Sequence, residues 1–135
     1  MTIPLSWLDH EHRVILQILG PEWTWEEFLE ASHVEMEMMD TVDHPVDIIA
    51  HGRDIKIPEG ILKVMPDIRK GSATLNHPNG GRYVLADISA VVKTFTDIYS
   101  SVFKQHGKKI FFTDTFEEAL EIVGLTVDDL IEPYE

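Results

Sequence analysis

"VDIIAHGRDIKIPEG", residues 46–60, decides the fold. From Val46 to Ala50 there is little alternation of apolar and polar residues, the pattern of a strand buried on both faces in a parallel sheet. His51, Gly52, Arg53 and Asp54 then form a charged loop, and Pro58 opens a helix whose Ile61, Leu62, Val64, Met65 and Ile68 face inward. Pro66 should kink or end that helix, because its ring denies a backbone bond. A buried strand that passes through a polar corner into a helix is the repeating unit of an α/β domain.

Upstream, Leu5–Asp9 and Val14–Leu19 read as two short strands joined by a tight turn around "HEH", residues 10–12, and Gly20-Pro21 ends the second. "EWTWEEF", residues 22–28, is the clearest local signal. Thr24 is a helix N-cap that Glu27 can answer in a capping box, and Trp23 and Phe28 can close a hydrophobic staple. The helix is expected to run to about Asp40, with Trp25, Phe28, Leu29, Ser32, Met36 and Met39 on one face. At this spacing the tryptophans fix the start of a helix and need no ligand to explain them. In "MEMM", residues 36–39, Met36 and Met39 are expected in the core and Met38 at the surface.

Downstream, "NHPNGG", residues 76–81, is dense turn chemistry, and Tyr83–Ala86 is the next buried strand. Ser89 caps a long amphipathic helix that stops at Gly107, with His106 beside its C-terminus. Ile110–Phe112 is a short strand, after which Thr115, Glu118 and Gly124 cap, answer and end another helix. Thr126 caps a last short one, and Asp128, Asp129, Glu132 and Glu135 read as a solvated acidic face. The order β-β-α-β-α-β-α-β-α predicts a single α/β domain over residues 1–135. Its sheet should have four to five strands, mostly parallel, behind an N-terminal antiparallel hairpin. Right-handed crossovers that always add the next strand on the same side place the helices mainly on one face. The other, apolar face would then need a cover, which predicts a homodimer.

Composition excludes several classes. The chain has 135 residues, 44% of them hydrophobic, enough for one core. Its formal charge is −13, and protonating all seven histidines would still leave it negative, so no nucleic-acid partner is expected. No apolar run is long enough for a membrane span, and "MTIPLSWLDHEH" has no signal core, so a cytoplasmic setting is expected. With no cysteine there is no disulfide, thiolate zinc site or thiol nucleophile.

"GPEWTWEEF", "VDIIAHGRDIKIPEGIL", "HPNGGRYVLAD" and "TDTFEEALEIV", in this order, resemble the SpoIIAA-like (STAS/SEC14-like) proteins of bacteria, which share the STAS fold of anti-sigma-factor antagonists. The resemblance implies a small cytoplasmic domain that binds another protein, commonly an anti-sigma factor or a component of a regulatory complex. In the well-known antagonists the strand matching Val46–His51 leads into a motif whose hydroxyl is phosphorylated to release the partner. Here that place reads "HGRDIKIPEG", and no Ser, Thr or Tyr lies between His51 and Gly71. The fold carries over; the phosphorylation switch does not.

His51, Arg53 and Asp54 are the candidate site, since they leave the carboxyl end of a parallel strand, where α/β proteins bind ligands. An Asp orienting a His beside an anion-holding Arg suits catalysis, but no nucleophile lies nearby in sequence, so partner contact is expected and no catalytic residue. Asp9, His10 and His12 invite a metal reading, yet the turn breaks the spacing and exposed turn histidines explain them. His33, His44, His77 and His106 are scattered, and "HPNGG" lacks any phosphate-binding motif. No metal or cofactor is expected. The leading expectation is therefore a non-enzymatic, STAS-like interaction module. A small-ligand or lipid-binding domain with a pocket near the His51–Asp54 loop is the alternative.

Overall fold

An antiparallel hairpin opens the chain, with β1 (Leu5–Trp7) paired to β2 (Val14–Leu19) so that Ser6 faces Leu16. The structure, a computed structural model, describes residues 3–52, 59, 77–87, 109–132 and 134. β1 stops before Asp9 because the turn claims that side chain. Its carboxylate accepts the backbone N–H groups of Arg13 at 2.9 Å and Val14 at 3.0 Å. Asp9 is thus a buried turn cap. His12, at φ +55°, lays its ring flat against Trp7 at 4.5 Å.

α1 (Trp25–Met39) begins as its sequence dictates. Thr24 Oγ1 accepts from the Glu27 N–H at 3.1 Å, and the Glu27 carboxylate accepts from the Thr24 N–H at 3.1 Å. The Trp23 and Phe28 rings meet at 5.9 Å and close the staple. The buried positions are Trp25, Ala31, Ser32, Glu35 and Met39. Met36 is only half-buried, and Met38, expected outside, is half-buried against the apolar cluster that holds Ile15, Met39, Val46 and Ile48.

β3 (Val46–Gly52), β4 (Gly80–Ala86) and β5 (Ile110–Thr113) complete a five-stranded mixed sheet in the order β1-β2-β3-β4-β5. β2 to β5 run parallel, as the alternating element order requires. An irregularity beside Asp47 shifts the β3–β4 register, and there the Asp47 carboxylate accepts the Arg82 N–H at 2.6 Å. The Asn79 side-chain amide donates to Met39 O and Val42 O, tying the turn before β4 to the end of α1.

The two helices among the described residues take opposite faces of the sheet. α1 packs with Ile15, Leu19, Val46, Ile48 and Ala50 on one face of the sheet. α2 (Phe116–Val123) packs on the other, its Phe116, Ala119, Leu120 and Val123 against Val14, Leu16, Ile49, Val84 and Ala86. The handedness rule governs crossovers between parallel strands. α2 follows β5, the last strand, and is free to fold back over the opposite face. Gly124, at φ +77°, supplies the left-handed turn that reverses the chain after it. A 3₁₀ turn (Val127–Asp129) leads to a strap in which Leu130 is buried and bridges antiparallel to Asp9, while the Ile131 N–H donates to Leu8 O at 3.0 Å. The helices expected after Pro58 and after Ser89, with Arg53, Asp54 and His106, lie outside the described residues.

Candidate functional site

β3 runs one turn of the pleat further than the sequence suggests, so His51 belongs to the strand and not to the loop. Its side chain shares the Ile49 face, under α2, and is only 4% exposed. Three of the described residues meet it there. Phe116, at the start of α2, places its ring 5.5 Å away. Tyr134 of the strap brings its hydroxyl to 2.5 Å from Nδ1, with its ring edge-on to the imidazole at 5.4 Å. Asp87, just past β4, holds Oδ2 3.4 Å from Nε2. Neutral imidazole satisfies both neighbours if Nε2–H points at the carboxylate and Nδ1 accepts the phenol proton.

Asp87 is the unusual member. Its backbone sits at φ +56°, a left-handed conformation costly for residues other than Gly and best tolerated by Asn and Asp. Its N–H donates to Thr113 O at 3.1 Å, which locks the corner between β4 and β5. The carboxylate is 53% exposed. The result is a rim at the carboxyl ends of β3 and β4 with a buried imidazole behind a fixed, solvent-facing carboxylate. At this corner the buried His51 imidazole backs the Asp87 carboxylate, and the carboxylate is the exposed member of the pair. Sequence reasoning reached His51 and missed Asp87 and Tyr134, which lie far along the chain. "VLAD" carried a signal for the first, an Asp at the end of a parallel strand.

A second polar group lies on the opposite face, beneath α1. Glu35 is 1% exposed, and burial pushes its carboxyl up to about 8, so it is protonated at neutral pH. Gln17, also fully buried, accepts the Tyr83 hydroxyl at 2.7 Å. Burial raises the Tyr83 phenol well above its ordinary range, and the nearby Glu35 charge adds to that. Glu35 Oε2, Gln17 Nε2 and Trp23 Nε1 have no hydrogen-bond partner among the described residues. This group is enclosed between helix and sheet and offers no rim.

Two further histidines are held locally. His77 Nδ1 accepts from the Asn79 N–H at 3.0 Å, which leaves Nε2–H to donate to Asp40 at 2.7 Å. His44 Nδ1 lies 3.0 Å from the Pro45 carbonyl. Among the described residues no helix is long and apolar enough to cross a membrane. By its described residues the chain is an α/β protein with a five-stranded mixed sheet and a polar rim at the carboxyl ends of β3 and β4. Compared with known proteins, it matches no family model, no curated protein and no solved structure.

Proposed function

We propose that the chain is a non-enzymatic, STAS-like interaction module of the bacterial cytoplasm whose partner docks at the carboxyl ends of β3 and β4. One observation carries the reading. Asp87 holds a strained backbone and an exposed carboxylate that a buried His51 keeps in place. Backbone strain of this kind persists where the surrounding structure over-determines it, and it concentrates at functional surfaces. A fixed, exposed carboxylate suits a basic group on a partner, in keeping with the chain's net charge of −13. Arg53 and Asp54 follow directly on β3, so they would flank the same contact. An anti-sigma-factor-like protein is the partner class that the family resemblance implies. Self-association loses its first ground, since α2 and the strap cover the sheet face that was to drive it.

The test is co-purification from the native host, followed by size-exclusion chromatography with light scattering. A partner should co-elute with the parent chain and be lost from Asp87→Lys, with both chains equally folded by circular dichroism. A chain that elutes without a partner but carries a small molecule in native mass spectrometry would replace this reading with ligand binding.

A further inference from the structure

We infer that the cleft at the amino ends of β2 and β3 binds a small zwitterion of the α-amino acid class, its carboxylate on Arg13 and its ammonium on Asp47 and His44. The site lies at the opposite end of the strands from the Asp87 corner and is independent of the docking reading.

Parallel pairing sets the two strand starts side by side, and the Asp47 N–H donates to Arg13 O at 2.9 Å. Around them opens a cleft of about 450 Å³, lined by Glu11, Arg13, His44, Pro45 and Asp47. Sites for small molecules commonly measure about 300–1,000 Å³ and are mostly apolar. This one is lined chiefly by ionisable side chains, so a ligand that suits it carries charge.

Opposite charges line the cleft without closing on each other. Asp47 is committed to β4. The β3–β4 irregularity re-aims its side chain, and Oδ1 accepts the Arg82 N–H at 2.6 Å, which leaves Oδ2 for another donor. Gly81 makes room for that bond, since a Cβ there would lie 2.3 Å from Oδ1. Arg13 leans the other way. Its Nη2 lies 3.9 Å from where a Cβ on Gly124 would stand, and Asp129 attracts the guanidinium from beyond ion-pair range. Among the described residues the guanidinium makes no hydrogen bond and no ion pair. His44 adds an acceptor. A neutral ring whose Nδ1–H donates to Pro45 O, 3.0 Å away, keeps a lone pair on Nε2.

A simple anion in this cleft would meet Glu11 and Asp47, and a simple cation would meet Arg13. A molecule with both charges satisfies both sides. Guanidinium takes a carboxylate through two parallel N–H bonds, and a primary ammonium can donate to Asp47 Oδ2 and His44 Nε2. Among the described residues no three His, Asp or Glu side chains group to hold a metal ion, so the acceptors suit a molecule that spans the cleft. Charges already held in place by other bonds lose little freedom on binding, which favours affinity.

The probe is a mixture of the common L-amino acids at millimolar concentration, added to the isotope-labelled chain and followed by two-dimensional amide NMR. Two control mixtures, at matched pH and ionic strength, are N-acetylated to remove the ammonium or amidated to remove the carboxylate. Shifts should gather at Arg13, Val14, His44, Val46 and Asp47, and single amino acids from the mixture then give the affinity. Each control should bind at least about 10-fold more weakly, the worth of a hydrogen bond to a charged group. Arg13→Gln and Asp47→Asn should weaken binding by a similar factor, and Asp87→Lys should bind as the parent does. Asp47→Asn keeps an acceptor for the Arg82 N–H, and Arg13→Gln, at an exposed position, carries the test if the other variant does not fold. No shift at the cleft residues would overturn the proposal. So would a control mixture that binds as well as the free amino acids, or an Arg13→Gln chain that binds as well as the parent.

Discussion

Glu35 puts a carboxyl where water cannot reach it, and that couples stability to pH. Its ordinary value is 4.5 and burial pushes it to about 8 in the folded chain. Between those values the unfolded chain has lost this proton and the folded chain retains it. Stability from this group is therefore fully present below 4.5, falls as pH rises through the window, and levels off above 8. The loss is about 1.4 kcal/mol for each pH unit of the window, a few kcal/mol in all. Glu35→Gln keeps the shape and removes the titration. Urea denaturation at mildly acidic and mildly alkaline pH should show the variant gaining on the parent by a few kcal/mol as pH rises; parallel curves would contradict the buried carboxyl. Gly81 is the other sensitive residue. A Cβ there would lie 2.3 Å from Asp47 Oδ1 and 2.8 Å from Val46 O. The carboxylate could swing away only by releasing the Arg82 N–H, and the carbonyl belongs to β3 itself. Gly81→Ala should cost about 1–3 kcal/mol in denaturant unfolding, and less when Asp47→Ala is already present.

The elements divide by how local their determinants are. α1 was legible because its cap, capping box and staple lie within Trp23–Phe28, and all of them form. Thr24→Ala should accordingly cost about 1 kcal/mol, measured as a shift in the urea midpoint at constant slope. α2 was legible in the same way, with Thr115 accepting from the Glu118 N–H at 3.1 Å and Gly124 in the left-handed cap. What lay beyond local rules went astray. Glu35 was missed because a glutamate on a helix is normally exposed, yet Trp25, Phe28, Ser32, Glu35 and Met39 share a single stripe with spacings of three and four. That stripe was the available signal. The face chosen by α2 was not legible, since no crossover constrains a helix after the final strand. The acidic tail was legible as a solvated face, Asp128, Asp129 and Glu132 all being exposed, but not that Asp129 also accepts the Thr126 N–H at 2.8 Å and so shapes the turn before the strap. That bond, then the one from the Thr126 hydroxyl, lowers the Asp129 carboxyl below its ordinary value. The site was half legible. His51 stood at a recognisable strand end, while Asp87 and Tyr134 reach it through the β3–β4 pairing and the strap, contacts that no local pattern announces.

At the scale of the whole molecule, the sheet is covered on both sides, but unequally. α1 is a fifteen-residue helix on its face, whereas α2 has eight residues, packs chiefly on β3, β4 and β5, and shares an apolar cluster with Val14 and Leu16 of β2. Among the described residues, Leu125, Leu130 and Tyr134 add cover on that side, joining the same apolar cluster as Leu8, Val14 and Leu16. The strap thus shields apolar residues on the hairpin side of the sheet, Leu8, Val14 and Leu16 among them. Cutting the chain after Leu125 should have two effects with one cause. Removing buried Leu130 alone should lower stability by about 1.5–3 kcal/mol, seen as a lower urea midpoint. The uncovered apolar patch should seek another partner, so the truncated chain should show a larger mass than the parent in light scattering at micromolar concentration. The peptide of residues 125–135 added in trans should bring that mass back toward the parent value, because it restores the same cover. A truncated chain with the parent's mass and midpoint would mean that the strap is not needed to cover this face.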